Sequence, residues 1–136
     1  MEKTLYETIK SLVSIRCLKE NWNGYGADPI SNTLVTRCIL IALNLKYQPQ
    51  SITPTARNSI QFEWELEDKS YLEFEIYYNK ITILCIEKME YDKAITKTLY
   101  SSNYDSIAKD LNLLINLFIK MKFDDIAKIA KESNND

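Results

Sequence analysis

The 136-residue sequence predicts an α+β domain in the order ααββββα: two N-terminal helices, an antiparallel sheet of three to four strands, and one long C-terminal helix packed on the sheet. Three observations carry this expectation. Apolar residues recur at helical spacing near both ends of the chain, they alternate with polar ones through the middle, and turn-forming residues separate the alternating runs. With 46% hydrophobic residues and only 2 Gly and 3 Pro, one ordered domain over 1–136 follows, with a tail from 132 to 136 that has nothing to bury and is expected to fray.

Taken in order, Leu5, Ile9, Leu12, Val13 and Cys17 fall on one face of a helix near residues 2 to 19. Both glycines lie in the segment from Asn21 to Ile30, which reads as a loop. Ser31 is placed to cap a second helix, with Ile30 and Val35 spaced as a hydrophobic staple, and that helix runs through Leu34, Cys38, Ile41 and Leu45 toward Tyr47. Pro49 and Pro54 mark residues 48 to 57 as an extended connector. Ile60, Phe62, Trp64 and Leu66 alternate with Ser59, Gln61, Glu63 and Glu65, and Leu72, Phe74, Ile76 and Tyr78 repeat the pattern. Residues 81 to 87 and 94 to 100 complete the strands, with a polar stretch from Lys88 to Lys93 between them. Ser102 or Asn103 is placed to cap the final helix, in which Tyr104, Ile107, Leu111, Leu114, Ile115 and Phe118 share a face, and a helical pattern persists through Ile126 and Ala130.

Composition excludes several chemistries. The chain has no histidine, which removes the commonest general base and metal ligand together with Ser-His-Asp and Cys-His nucleophile pairs. Cys17, Cys38 and Cys85 stand at wide spacing with no CxxC pair, so they read as three reduced core thiols in a cytoplasmic protein. No apolar run is long enough to span a bilayer, and residues 1 to 10 lack the layout of a secretory signal. The lysines are dispersed and the pI is acidic, which argues against nucleic acid as a partner.

The net charge of -2 conceals an uneven distribution. Residues 1 to 58 sum to +3 and residues 61 to 75 to -5, so the acid is concentrated in one hairpin. Glu63 and Glu65 share a face of their strand, as do Glu73 and Glu75 of theirs, opposite the apolar residues. Four carboxylates on one surface repel one another unless cations intervene, a cost that suggests a docking face for a basic protein partner. Tyr71 and Tyr77 beside the row fit that reading, because tyrosine supplies contact area at low entropic cost. A solvated sheet face is the plain alternative. A third reading has the same carboxylates bind Mg2+ or Mn2+ in a small metal-dependent hydrolase, although no diagnostic ligand spacing is present.

The second candidate is the loop containing Trp22, Asn23, Gly24, Tyr25, Gly26 and Asp28. Glycines before a helix suggest an anion cradle, yet the segment follows no strand and lacks a third glycine or a Lys-Ser/Thr step. A structural role is expected, with the glycines permitting positive φ and with Trp22 and Tyr25 pinning the loop to the core. A calcium loop fails because the twelfth position from Asn21 is Asn32 rather than Glu.

Trp22-Asn23-Gly24-Tyr25-Gly26-Ala27-Asp28-Pro29, then Pro54-Thr55, then Ile60-Gln61-Phe62-Glu63-Trp64 and Leu72-Glu73-Phe74-Glu75-Ile76 resemble a widespread family of small uncharacterised bacterial proteins. That family carries a W-D/N-G-x-G-A-x-P loop, a P-x-P-T segment and an L/F-E-W strand. The resemblance covers roughly residues 20 to 78. Asn23 stands where the family often has Asp, Ile52 where it has proline and Asn58 where it often has Gly. The resemblance implies a bacterial, cytoplasmic protein and brings no established activity. The functional expectation is a non-enzymatic binding protein, such as an antitoxin or immunity-type inhibitor, with no cofactor and no resident metal; the alternative is the hydrolase.

Overall fold

A computed structural model describes residues 3–100 and 104–132. Thr4 opens α1 (Leu5–Arg16): its hydroxyl accepts from the Glu7 N–H at 3.2 Å while Glu7 Oε1 accepts from the Thr4 N–H at 3.1 Å, so two donors at the helix start are satisfied reciprocally. The buried stripe of α1 is Thr8, Leu12 and Ile15, whereas Val13 and Cys17 are exposed. Cys17 is therefore no core thiol, because the stripe that meets α2 is rotated from the one expected. Ser31 caps α2 (Asn32–Leu43) as expected, its Oγ accepting from Leu34 N–H. The helix stops before Tyr47. Asn112 holds the chain beyond it, accepting from Lys46 N–H at 2.9 Å and donating to Asn44 O at 2.8 Å.

The sheet has five strands rather than three to four: β1 (Ser51–Thr55), β2 (Ser59–Glu65), β3 (Tyr71–Ile76), β4 (Ile81–Ile86) and β5 (Ile95–Leu99), an antiparallel meander in chain order. The additional strand occupies the expected connector. Thr55 pairs with Ser59 across a three-residue turn, and Asn58 adopts φ 56°, the left-handed conformation that asparagine and glycine tolerate best. Pro54 is compatible with β1 because its nitrogen lies on the outer edge of the sheet. Leu66 N–H donates to Ser70 O, and alternation from that pair directs the backbone N–H and C=O groups of Ile60, Phe62 and Trp64 toward β3 and those of Ser59, Gln61 and Glu63 toward β1. The backbone groups of their partners Thr55, Thr53 and Ser51 bond inward, which leaves the backbone groups of Ile52 and Pro54 on the outer edge, while the Ile52 side chain packs against the core.

The C-terminal segment is two helices, α3 (Tyr104–Ile119) and α4 (Phe123–Lys131), instead of one. Met121 sits at φ 59°, and two bonds, Met121 N–H to Phe118 O and Lys122 N–H to Leu117 O, close the end of α3. The expected cap at Ser102 or Asn103, the Tyr104 side chain and the tail beyond residue 132 lie outside the described residues. Lys88 to Lys93, left open by the sequence, contains one 3-10 turn at Tyr91–Lys93.

Ile60, Phe62, Trp64, Leu72, Phe74, Ile76, Ile81, Ile83 and Cys85 form the apolar face of the sheet, and the helices complete the same core through Leu12, Leu34, Ile41, Ile107, Leu111 and Phe118. Trp64 meets Phe74 edge to face at 5.0 Å and donates from Nε1 to Gln48 O. Burial pushes the Cys85 thiol up to about 12 and the Cys38 thiol further still, which keeps both inert. No described helix is long and apolar enough to cross a membrane.

Candidate functional site: the acidic face of the sheet

Alternation along β1 to β3 places Ser51, Thr53 and Thr55, then Ser59, Gln61, Glu63 and Glu65, then Tyr71, Glu73 and Glu75 on the face opposite the core. Register sets Glu63 directly across from Glu73, and Gln61 across from Glu75. The four carboxylates do share a face, but they divide into three environments.

Glu75 is neutralised and buried. Arg57, from the β1–β2 turn, reaches it with Nη2 at 2.9 Å and Nε at 3.0 Å; Ser59 Oγ donates at 2.5 Å and Gln61 Nε2 at 3.3 Å. Thr55 and Ser59 hydroxyls bond at 2.5 Å behind it. Burial works against the Glu75 carboxylate, but the hydrogen bonds from Ser59, Tyr77, Arg57 and Gln61 together outweigh it and hold the group below its ordinary range. Tyr77 belongs to this cluster, its phenol pushed up by burial and by Glu75, with Lys80 Nζ 4.9 Å above its ring.

Glu63 and Glu73 form the second environment, with Tyr71 between them. The phenol oxygen stands 2.6 Å from Glu63 Oε2 and 2.8 Å from Glu73 Oε1. A phenol carries one proton, so it donates to one carboxylate at a time. Glu63 has further donors in Ser51 Oγ at 3.2 Å and Thr53 Oγ1 at 2.7 Å; for Glu73, Tyr71 is the one side-chain donor among the described residues. Burial, with the neighbouring Glu75 and Glu63 charges, raises the Glu73 carboxyl above its ordinary range despite the Tyr71 bond. The same burial and both carboxylates push the Tyr71 phenol up. Among the described residues neither Glu63 nor Glu73 has an ion-pair partner. Glu65 is the third case, exposed at the end of β2 with Lys69 at 3.9 Å.

Arg57, Ser59, Ser51 and Thr53 escaped the sequence reading. Arg57 lies in what read as a connector, and only the hairpin brings it over β3. Beyond the acidic pair, the register places Leu84 across from Glu73 and Ile86 across from Tyr71, so the row is flanked by apolar side chains.

The Trp22 to Asp28 loop is closed on itself. Asn23 Oδ1 accepts from Tyr25 N–H at 2.9 Å and Ala27 N–H at 3.1 Å, Asn21 Oδ1 accepts from Gly26 N–H at 2.7 Å, and Gly24 N–H donates to Asn21 O. The donors an anion would need are spent. Gly24 and Gly26 adopt φ 79° and 83°, which explains both glycines without a ligand. Trp22 packs against the core and donates to Asp28 O at 2.8 Å, but Tyr25 is 92% exposed and pins nothing, contrary to the sequence expectation. Asn23 supplies acceptors here, a task that does not require the carboxylate of an Asp.

Among the described residues no three acidic or cysteine side chains converge as a metal site requires. A cleft of about 230 Å³ is lined by Tyr47, Gln48, Gln50, Trp64, Leu66, Phe118 and Ile119, and holds no carboxylate or amine for acid–base work. No family model, curated protein or solved structure matches the chain.

Proposed function

We propose that this chain is a non-enzymatic protein-binding module that docks a basic partner through the Glu63–Tyr71–Glu73 portion of the open sheet face, in the manner of an antitoxin or immunity-type inhibitor. The observation that carries the reading is a pair of cross-strand carboxylates, bridged by one phenol and without a cation of their own among the described residues, beside Glu75, which has one in Arg57. Burial and, after it, the neighbouring Glu75 and Glu63 charges raise Glu73, and a lysine or arginine from a partner offsets both, so complementary charge favours the complex. Leu84 alongside, half-buried, supplies apolar contact. Glu65 extends the charge at the rim, while Glu75 and Tyr77 maintain the face rather than meet the partner. Bacterial origin and a cytoplasmic setting belong to the same proposal and rest on the family resemblance. The absence of a three-ligand cluster among the described residues favours this reading over a metal-dependent hydrolase.

The test is a salt-titrated pull-down from source cells with the wild type and a Glu63→Gln, Glu73→Gln double variant, its fold confirmed by circular dichroism. A basic protein retained by the wild type at low salt, released as salt rises and missed by the variant is the expected outcome. Equal retention by both chains removes the docking role. A melting temperature raised by millimolar Mn2+ revives the hydrolase.

A further inference from the structure

The cleft at the end of the sheet plays no part in the docking of a basic partner, and its walls have a different chemistry. Three segments build it: the chain leaving α2 brings Tyr47 and Gln48, the end of β2 brings Trp64 and Leu66, and the last turn of α3 brings Phe118 and Ile119. Phe118 and Trp64 are buried, Tyr47 and Leu66 half-buried and Ile119 exposed, so apolar surface runs from the core out to the mouth. No lining side chain carries a charge. The polar groups are mostly matched within the fold. Trp64 Nε1 donates to Gln48 O at 3.1 Å, Gln48 Nε2 donates to Ala42 O at 2.9 Å and to Leu45 O at 3.2 Å, and the Gln50 amide exchanges two bonds of 3.0 Å with the backbone of Glu65. The buried exception is Gln48 Oε1. Gln48 is only 9% exposed, and among the described residues this oxygen has no donor. A buried acceptor left unpaired destabilises the fold that holds it, and a ligand that brings a donor removes that cost.

We infer that this cleft binds a small, neutral, flat aromatic molecule of one or two fused rings, whose N–H donates to Gln48 Oε1. The volume of about 230 Å³ falls below the roughly 300–1,000 Å³ of pockets that enclose drug-sized ligands, which restricts the occupant to a small ring system. Uncharged walls select a neutral molecule, because an ion there is desolvated without a counter-charge. Trp64, Phe118 and Leu66 offer a flat ring edge-on, offset and aliphatic contacts. Gln48 Oε1 is covered in this conformation, so the amide tilts toward the ligand, and of the two bonds from Nε2 the longer one, to Leu45 O, yields first.

Indole has this chemistry and is the probe, titrated to several millimolar into isotope-labelled protein and followed by nuclear magnetic resonance. The Trp64 Nε1–H and the Gln48 side-chain amide signals are expected to move and to saturate, while the Trp22 Nε1–H, bonded to Asp28 O in the glycine loop, stays in place. N-methylindole keeps the rings and lacks the donor, and it is expected to bind about tenfold more weakly. Ile119→Trp places a larger side chain at the exposed mouth and, with unchanged circular dichroism, is expected to abolish the shifts. Absence of saturable shifts at Trp64 and Gln48, equal affinity for the two probes, or undiminished binding to folded Ile119→Trp overturns the inference. The first two outcomes are read on the wild type and need no variant to fold.

Discussion

At the residue scale, two glutamates one strand position apart on the same face behave oppositely, and the cause is the company each keeps. Glu75 sits among Arg57, Ser59 and Gln61; Glu73 faces Glu63 and shares one phenol with it. The linkage signs differ accordingly. Glu75, held low in the folded chain, contributes stability that is present above its ordinary value of 4.5 and is lost as pH falls through the folded value. Glu73, held high, contributes stability that is present below its ordinary value of 4.5 and is lost as pH rises through the folded value. Glu75→Gln is therefore expected to lose about 2 kcal/mol at neutral pH, since it gives up charged hydrogen bonds at a buried site, and to converge on the wild type in acid. Glu73→Gln is expected to melt above the wild type at neutral pH and level with it in acid. Thermal melts across pH check both, and parallel profiles for the two variants refute the assignment.

At the scale of elements, the departures from expectation have local causes. Proline argued against a strand at residues 51 to 55, yet an edge strand has one side on which an N–H is not needed, and Pro54 lies on that side. The break between α3 and α4 carries no glycine or proline, because Met121 itself takes the left-handed position. That conformation is costly for a side chain with a Cβ, so Met121→Gly is expected to stabilise the protein by about 1 kcal/mol. Urea unfolding reads it as a raised midpoint at unchanged slope. A lowered midpoint means that the methionine side chain, half exposed at the surface, contributes more contact than its backbone costs. Elements with strong periodicity, such as β2 and β3, and the cap at Ser31 follow the sequence pattern closely because each local preference agrees with the burial around it.

At the scale of the molecule, one core serves every element. Phe62 and Phe74 lie fully buried at directly paired positions at the centre of the sheet, and the helices close over them. Phe74→Ala is expected to cost about 3–5 kcal/mol and to lower strands and helices together in one transition. Separate transitions by near- and far-ultraviolet circular dichroism show instead that the helical layer folds independently. Because the apolar face of the sheet is committed to this core, a partner that meets the sheet has to use its other face or its edges.

The sequence alone determined the α+β class, the two central hairpin strands, the first two helices and the confinement of acid to one sheet face, since period and local charge are properties of neighbours along the chain. It also removed histidine chemistry outright. Tertiary structure decided which of those acids an arginine meets. Arg57 reaches Glu75 from 18 positions away, Tyr71 meets Glu63 from 8, and the chain between them carries no sign of either meeting. Pairing across strands depends on register, register depends on where each turn closes, and these turns close on asparagine and lysine in left-handed conformations that composition does not reveal.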